Sequence, residues 1–387
     1  MNIITTTEAL AELCAEAAHE PFVTLDTEFL RERTYYAKLC LVQMALPGAG
    51  PERAYIIDPL AEGLSLDPLL ELMRNDAVVK VFHAARQDLE IFFVDGGVIP
   101  NPLFDTQIAA MVCGFGEQAG YETLVRKIVR APLDKASRFT DWSQRPLTDA
   151  QLKYALDDVT HLRQIYLHLS EQIATTGRDA WVAEEIQTLM TPGTYVTQPE
   201  DAWQRIRTRG QSGKFLAIVQ ELARFREDHA QSRNVPRSRV YKDDALLELA
   251  STKPANIEAL GRSRLLLREA RRGDIAEGIL NAVKTALAMP SAEWPRIAAD
   301  EEQLQVNPAI ADLLRVLIKA KADQSGVAQR LIAPTSELDA IAAGKRDLPC
   351  LKGWRHTLFG ADALRLCAGE VALTAKGQQV RLIEINS

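Results

Sequence analysis

The chain has 387 residues, 47% of them apolar and 25% charged, which is too long for one ordinary domain and too apolar for a disordered protein. No uninterrupted apolar stretch approaches the ~18 residues a membrane helix needs, so no membrane partner is expected. The net charge of −7 is unevenly spread: residues 1–202 hold 16 Lys/Arg against 30 Asp/Glu, residues 203–290 hold 17 against 10, and residues 291–387 hold 12 of each. A basic middle beside an acidic first half suggests that one part attracts a polyanion while the other gathers cations.

The opening residues, Met1 to Glu20, carry glutamates but no lysine or arginine, so they lack the charged start of a secretory signal. They read as a short amphipathic helix with Leu10, Leu13 and Ala17 on one face. Strand-like runs follow at Phe22 to Phe29, Leu39 to Ala45 and Tyr55 to Asp58, with another at Val78 to His83. Helices are expected from Ala84 to Val94, Thr106 to Cys113 and Asp149 to Leu169, which together give a mixed α/β domain. Asp105 suits the N-cap of the second of these helices. Met190 to Pro199 reads as a linker. Cys14, Cys40, Cys113, Cys350 and Cys367 are scattered and form no CxxC pair, so neither a zinc site nor a disulfide framework is suggested. A reduced, cytoplasmic compartment is the simplest reading.

After Trp203 the pattern becomes helical and repeats itself without gaps at an offset of 92 residues: Val235, Val240, Leu246, Leu249 and Ala250 fall on Val327, Ile332, Leu338, Ile341 and Ala342. Two related modules follow from this self-similarity. Only the first is rich in arginine, with Arg233, Arg237 and Arg239 near its start and a further run through Arg262, Arg264, Arg268, Arg271 and Arg272. Such a run often marks a solvated face, but on a module without other chemistry it favours phosphate contact.

Three segments place carboxylates where a purely structural role is uncomfortable. Asp26 and Glu28 alternate on one face of a strand, and like charges so placed repel unless a cation lies between them. Taken alone, the pair equally suits a solvated edge strand. Asp88 sits on a helix with Ala84, Ala85, Ile91 and Phe92 three and four residues away, an apolar face where an ionised carboxylate is costly without a partner. Glu90, by contrast, has Arg86 four residues back and reads as half of an exposed pair. Tyr154 and Asp158 share a third helix face, while Asp157 has Lys153 and His161 beside it. The functional role is therefore assigned to Asp158 and the surface role to Asp157. Four carboxylates suit hard divalent ions such as Mg²⁺ or Mn²⁺, and a two-metal site cleaves phosphodiesters. Tyr154 would hold the attacking water.

The stretch from Leu25-Asp26-Thr27-Glu28-Phe29 to Gln43 resembles the first motif of the ribonuclease D family, and Phe82-His83-Ala84 to Asp88-Leu89 resembles its second. Asp134-Lys135, Thr140-Asp141-Trp142 and Arg145-Pro146-Leu147 are similar to its intermediate block. Tyr154 to Asp158 looks like its third motif in the tyrosine branch of the DEDD exonucleases. Asn234-Val235-Pro236 to Leu246 resembles the helicase-and-RNase-D C-terminal (HRDC) domain; the second module departs from that pattern at Ala328.

The resemblance implies an α/β ribonuclease-H-like exonuclease domain, a mixed sheet flanked by helices, over residues 1–190. Two all-α HRDC-like helical bundles would follow at 203–290 and 300–387. It further implies a 3′→5′ exoribonuclease that releases nucleoside 5′-monophosphates from RNA, notably transfer-RNA precursors. Asp26, Glu28, Asp88 and Asp158 would hold two divalent ions beside Tyr154, in a monomeric cytoplasmic enzyme. Contacts to RNA are expected from Arg233, Arg237 and Arg239, and His83 is a further candidate. Trp142 and Phe139 are expected to pack rather than to stack on bases. A DNA exonuclease of the same chemistry and a non-catalytic RNA-binding scaffold are the alternatives.

Overall fold

The computed structural model describes residues 2–133, 140–208, 212–296 and 305–385. Its first half is built on β1 (Asn2–Ile4), β2 (Phe22–Leu30), β3 (Lys38–Ala45), β4 (Ala54–Ile57), β5 (Val79–Phe82) and β6 (Leu103–Asp105). These form one sheet in the order β1-β4-β3-β2-β5-β6. The β2–β3 and β3–β4 pairs are antiparallel, and the β1–β4, β2–β5 and β5–β6 pairs are parallel. Central β2 and β3 are largely buried, as strands covered by helices on both faces are. The helices are α1 (Thr7–Ala17), α2 (Asp67–Arg74), α3 (Arg86–Gly96), α4 (Thr106–Val112), α5 (Tyr121–Leu124), α6 (Asp149–Thr176) and α7 (Asp179–Ile186). The mixed sheet and flanking helices are those expected.

Helix α6 begins at a capping box, where Thr148 and Gln151 satisfy each other's backbone amides, and ends at Gly177 in the left-handed region. Both are strong boundary signals. The helix runs past the expected end at Leu169 to Thr176. Helix α3 starts at Arg86, not Ala84, because Ala84 has φ 57° and cannot be helical. The turn it makes is held by Asp105, whose carboxylate accepts the Ala84 and Ala85 amides at 3.2 and 2.9 Å. Asp105 also caps α4 through the Gln107 and Ile108 amides, as expected of it.

The helical half comprises α8 (Gly213–Ser232), α9 (Arg237–Val240), α10 (Asp243–Thr252), α11 (Ile257–Gly261) and α12 (Gly273–Ala288), then α13 (Pro308–Ser325), α14 (Gln329–Ile332), α15 (Thr335–Ala342), α16 (Gly353–Arg355) and α17 (Ala361–Ala368). The repeat is visible in space: α9 spans Arg237 to Val240 and α14 spans Gln329 to Ile332, at the same 92-residue offset. One departure from an all-helical end is a hairpin, β7 (Val371–Lys376) with β8 (Gln379–Glu384). Its two-residue turn has Gly377 at φ 62°, the backbone such turns require.

The two repeats are packed differently. The first owns a separate core around Leu222, Leu246, Leu249 and Ile279. In the second, Leu314, Ile332 and Leu338 join the apolar core of the sheet domain, together with Ala110, Val112 and Ile186. Trp354 stacks on Trp181 of α7 at 4.5 Å, and Arg355 pairs with Glu185 at 2.6 Å.

Candidate active site

Strand β2 carries Asp26 opposite Gln43 and Glu28 opposite Leu41, with a register shift between Glu28 and Phe29. A bulge there twists the strand as it leaves the sheet. Thr24, on the same face, donates to the Val159 carbonyl of α6 at 2.8 Å, which anchors that face under the helix. Thr27 lies between the two carboxylates on the opposite face and donates its hydroxyl to Asp88. Strand alternation therefore aims Asp26 and Glu28 one way while the residue between them holds the third carboxylate from behind.

Asp88 is buried in the first turn of α3, a position where the partial positive charge of a helix N-terminus favours an anion. Asp158 and Tyr154 line one cavity of about 390 Å³ with Asp26, His83 and Tyr121. Asp157 instead pairs with Lys153 at 2.7 Å across one turn. The four carboxylates thus arrive from β2, α3 and α6.

Their electrostatics are those of anions crowded into a poorly solvated place. Burial, then the charges of Asp26, Asp158 and Asp88, raise the Glu28 carboxyl to about 10. Burial and the charge of Asp158 raise Asp26 well above the usual carboxylate range, and burial and the charge of Asp26 do the same to Asp88. Such groups ionise together only when a cation is supplied. As placed, no three ligand-type side chains among the described residues stand close enough to chelate an ion. The donor set, oxygen throughout, fits a hard divalent cation. Gln43 adds a second sign of fit. It is fully buried on the face shared with Asp26, and neither end of its amide has a partner among the described residues, a costly state for a polar group that nothing completes.

The other expected residues fall out as follows. His83 is held by Thr106 at 3.0 Å and packs against Tyr121 with ring centroids 5.5 Å apart. Burial lowers its imidazole below the usual value, against the opposing charge of Asp105, and the ring lines the cavity. Trp142 is only 2% exposed and packs beside Tyr154 at 6.0 Å. Asp134, Lys135 and Phe139 lie outside the described residues. Glu90 does not pair with Arg86. Arg31, just past the end of β2, takes it with two bonds of 2.9 and 2.5 Å, a bidentate pairing of guanidinium and carboxylate.

The three arginines expected to meet RNA have separate surroundings. Arg233 is exposed and pairs with Asp274 at 3.0 Å. Arg239 is exposed on α9. Arg237 is engaged at the contact between the first module and the sheet domain, pairing with buried Glu227 at 2.5 Å and lying 4.7 Å from the Tyr35 ring.

Tyr121 went unnoticed in the sequence. Its buried hydroxyl donates to the carbonyls of Asp157 and Asp158 at 2.9 and 2.6 Å, fixing α6 at the residue that matters. Nothing local to Tyr121 signals this contact, which spans the chain from α5 to α6.

Residues 1–174 match the family described as 3′-5′ exonuclease, and residues 215–283 match the HRDC domain. Ribonuclease D of Jannaschia sp. (strain CCS1) is 62% identical over 384 residues, covering 99% of this chain and all of that protein. The chain belongs to the ribonuclease D family. Ribonuclease D of Acidiphilium cryptum (strain JF-5) is 47% identical over 99% of this chain and 97% of its own. Among solved structures, that of Escherichia coli RNase D, described as an exoribonuclease involved in structured RNA processing, superposes with a TM-score of 0.81. It is 30% identical and covers 96% of this chain and 99% of its own. A ribonuclease D is a hydrolytic 3′-5′ exoribonuclease that acts on RNA. No described helix is long and apolar enough to cross a membrane.

Proposed function

We propose that Asp26, Glu28, Asp88 and Asp158 hold two divalent cations, Mg²⁺ or Mn²⁺, and that Tyr154 orients the water that attacks the terminal phosphodiester of RNA. The observation that carries this reading is a cavity lined by Asp26, Asp158 and Tyr154, with Glu28 and Asp88 near enough for their charges to act on, or feel, those of the other carboxylates. Bound there, the cations would neutralise charge on the attacking and leaving oxygens. Asp26 and Glu28 anchor the site from the rigid sheet, Thr27 fixes the orientation of Asp88, and Tyr121 fixes the stretch of α6 that presents Asp158. Tyr154, one turn before Asp158, accepts or donates a hydrogen bond at its hydroxyl to align the water.

Residues 1–190 act as the catalytic unit, 203–290 as an RNA-contacting module through Arg233 and Arg239, and 300–387 as a second, divergent module. The substrate is the 3′ end of a structured RNA such as a transfer-RNA precursor, and the enzyme works as a cytoplasmic monomer. Incubation of the full chain with 5′-labelled RNA and Mg²⁺ or Mn²⁺ should give a descending ladder one nucleotide at a time, silenced by a chelator. Early internal fragments, or equal breakdown of a circular RNA, would refute the exonuclease reading.

A further inference from the structure

The second cavity of the sheet domain lies away from the carboxylates, where the turn after β2 and the outer face of α3 meet residues 194–205 and the first helical module. Its volume is about 390 Å³, and its walls include Arg31, Tyr35, Tyr36, Arg86, Tyr195 and Arg205. That size lies within the ~300–1,000 Å³ range of ligand-binding clefts. Four arginines, counting Arg237, face one acidic residue, Glu90.

Two of the cations are already used, Arg31 by Glu90 and Arg237 by Glu227. Arg86 and Arg205 are exposed and have no ion pair among the described residues; Arg86 makes a long 3.5 Å approach to the Thr194 carbonyl. The aromatic rings are held in place. Tyr35 is fixed by Glu227 and by Arg237 over its ring, its neighbour Tyr36 sits edge-on at 4.8 Å, and the Tyr35 and Tyr36 amides both donate to Asn234 at 3.0 and 2.9 Å. Free guanidinium groups beside rigid aromatic faces are the means by which proteins grip a single strand, phosphates on the cations and bases on the rings.

We infer that this cleft is a second RNA subsite, which holds nucleotides upstream of the one being removed. The inference rests on the exoribonuclease reading for the direction of the strand. Its place in the chain supports it: β2 bears Asp26 and Glu28 and leads directly to Arg31 and Tyr35, and α3 bears Asp88 two residues from Arg86. Arg31 lies about 10 Å along the chain from Glu28, taking ~3.3 Å per residue. A strand whose 3′ end occupies the carboxylate cavity therefore needs only a few nucleotides to reach the cleft. The first helical module closes the cleft through Gln231 and Arg237, so that module would shape the subsite as well as its own surface.

The test uses the full chain with Arg86→Ala and Arg205→Ala combined, neither of which breaks an ion pair among the described residues. Binding of a single-stranded RNA of roughly a dozen nucleotides, a length spanned by ordinary single-strand sites, is measured against salt without divalent metal. Hydrolysis of that RNA and of a dinucleotide is measured with Mg²⁺. The expected result is a tenfold or greater loss of affinity and a matching rise of KM on the longer RNA, a salt slope smaller by about 1.4 for two lost phosphate contacts, and unchanged dinucleotide turnover. Equal affinity and slope in variant and wild type would overturn the proposal. So would an equal loss on the dinucleotide, which would place both arginines at the carboxylate site. Retained RNA binding with lost binding of poly-glutamate would likewise overturn it in favour of an acidic protein partner. A wild type that binds the RNA but hydrolyses neither substrate would refute the exonuclease reading alone, since the binding arm still decides the cleft.

Discussion

Replacing Asp26 by asparagine perturbs the carboxylate cluster in two opposite directions. The substitution keeps the shape of the side chain and removes one of four charges. In the metal-free protein that charge is unfavourable, because burial and Asp158 raise the Asp26 carboxyl well above its usual range. A carboxyl raised in the folded state contributes stability that is fully present below its unfolded value, ~3.9, and lost as pH rises through the folded one. The metal-free wild type should therefore lose stability from about pH 4 towards neutrality and beyond, and Asp26→Asn should lose less. Its metal-free Tm at pH 7 should equal or exceed that of the wild type. Catalysis should move the other way. Weakening a preorganised electrostatic element of this kind costs ~3–4 kcal/mol, or about 10²–10³-fold in rate. Single-turnover trimming of 5′-labelled RNA at saturating Mg²⁺, with melting curves with and without Mg²⁺, reads both effects. Near-wild-type turnover, or an equal rise of Tm on adding Mg²⁺, would remove Asp26 from the metal site.

Three further outcomes follow from neighbouring geometry. Because Glu28 is raised to about 10 and its carboxylate neighbours are raised with it, metal must displace protons. Calorimetric affinity for Mn²⁺ should rise with pH between 6 and 9, with proton release visible in buffers of different ionisation enthalpy, and a flat profile would contradict the crowding. Asp157→Ala should cost only ~0.3–0.5 kcal/mol of stability, the worth of an exposed helix pair with Lys153, and keep activity, while Asp158→Ala should abolish activity; the reverse pattern would move the ligand to Asp157. Arg237→Ala should destabilise the first module by roughly 2–3 kcal/mol, reduced from the ~3–5 of a fully buried pair because Arg237 is 39% exposed, and should loosen its contact with Tyr35 of the sheet domain. Faster limited proteolysis between residues 190 and 212 would report it, and unchanged proteolysis with weakened RNA binding would return Arg237 to a phosphate-contacting role.

The placement of the candidate site residues was legible because its signals are local. Alternation put Asp26 and Glu28 together on β2, a helical repeat put Asp88 on an apolar face, and a four-residue spacing put Tyr154 on the turn before Asp158. Each needs only the geometry of its own element. What went unseen depends on pairing between distant segments. Thr27 reaches Asp88 across 61 residues, and Gln43 lies opposite Asp26 only once β2 and β3 are in register. Tyr121 meets α6 from a four-residue helix with no pattern of its own. The one misplaced partner, Glu90, shows the limit of helix spacing as evidence. Arg86 stood at the right interval, yet the guanidinium of Arg31 offered two aligned bonds and prevailed.

The repeat carries a further lesson about charge. Both modules keep the same apolar positions, for example Leu222 with Leu314 and Val240 with Ile332, all buried. The residues between them differ according to what each module faces. At the position of exposed Arg262 the second module has Trp354, stacked on Trp181, and the next residue, Arg355, is spent on Glu184 and Glu185 of α7. An aromatic ring and a doubly paired arginine are what a surface needs when it must bury itself against an acidic neighbour. The first module touches the sheet domain through a smaller set, Tyr35, Glu227, Asn234 and Arg237, which leaves Arg239, Arg264, Arg268 and Arg272 exposed. The basic excess of residues 203–290 thus persists where protein does not cover it, and the neutrality of residues 291–387 accompanies a module whose surface serves as a brace. On this reasoning, loss of the second module should unsettle the fold of the nuclease domain before it affects RNA affinity, whereas loss of the first should do the opposite.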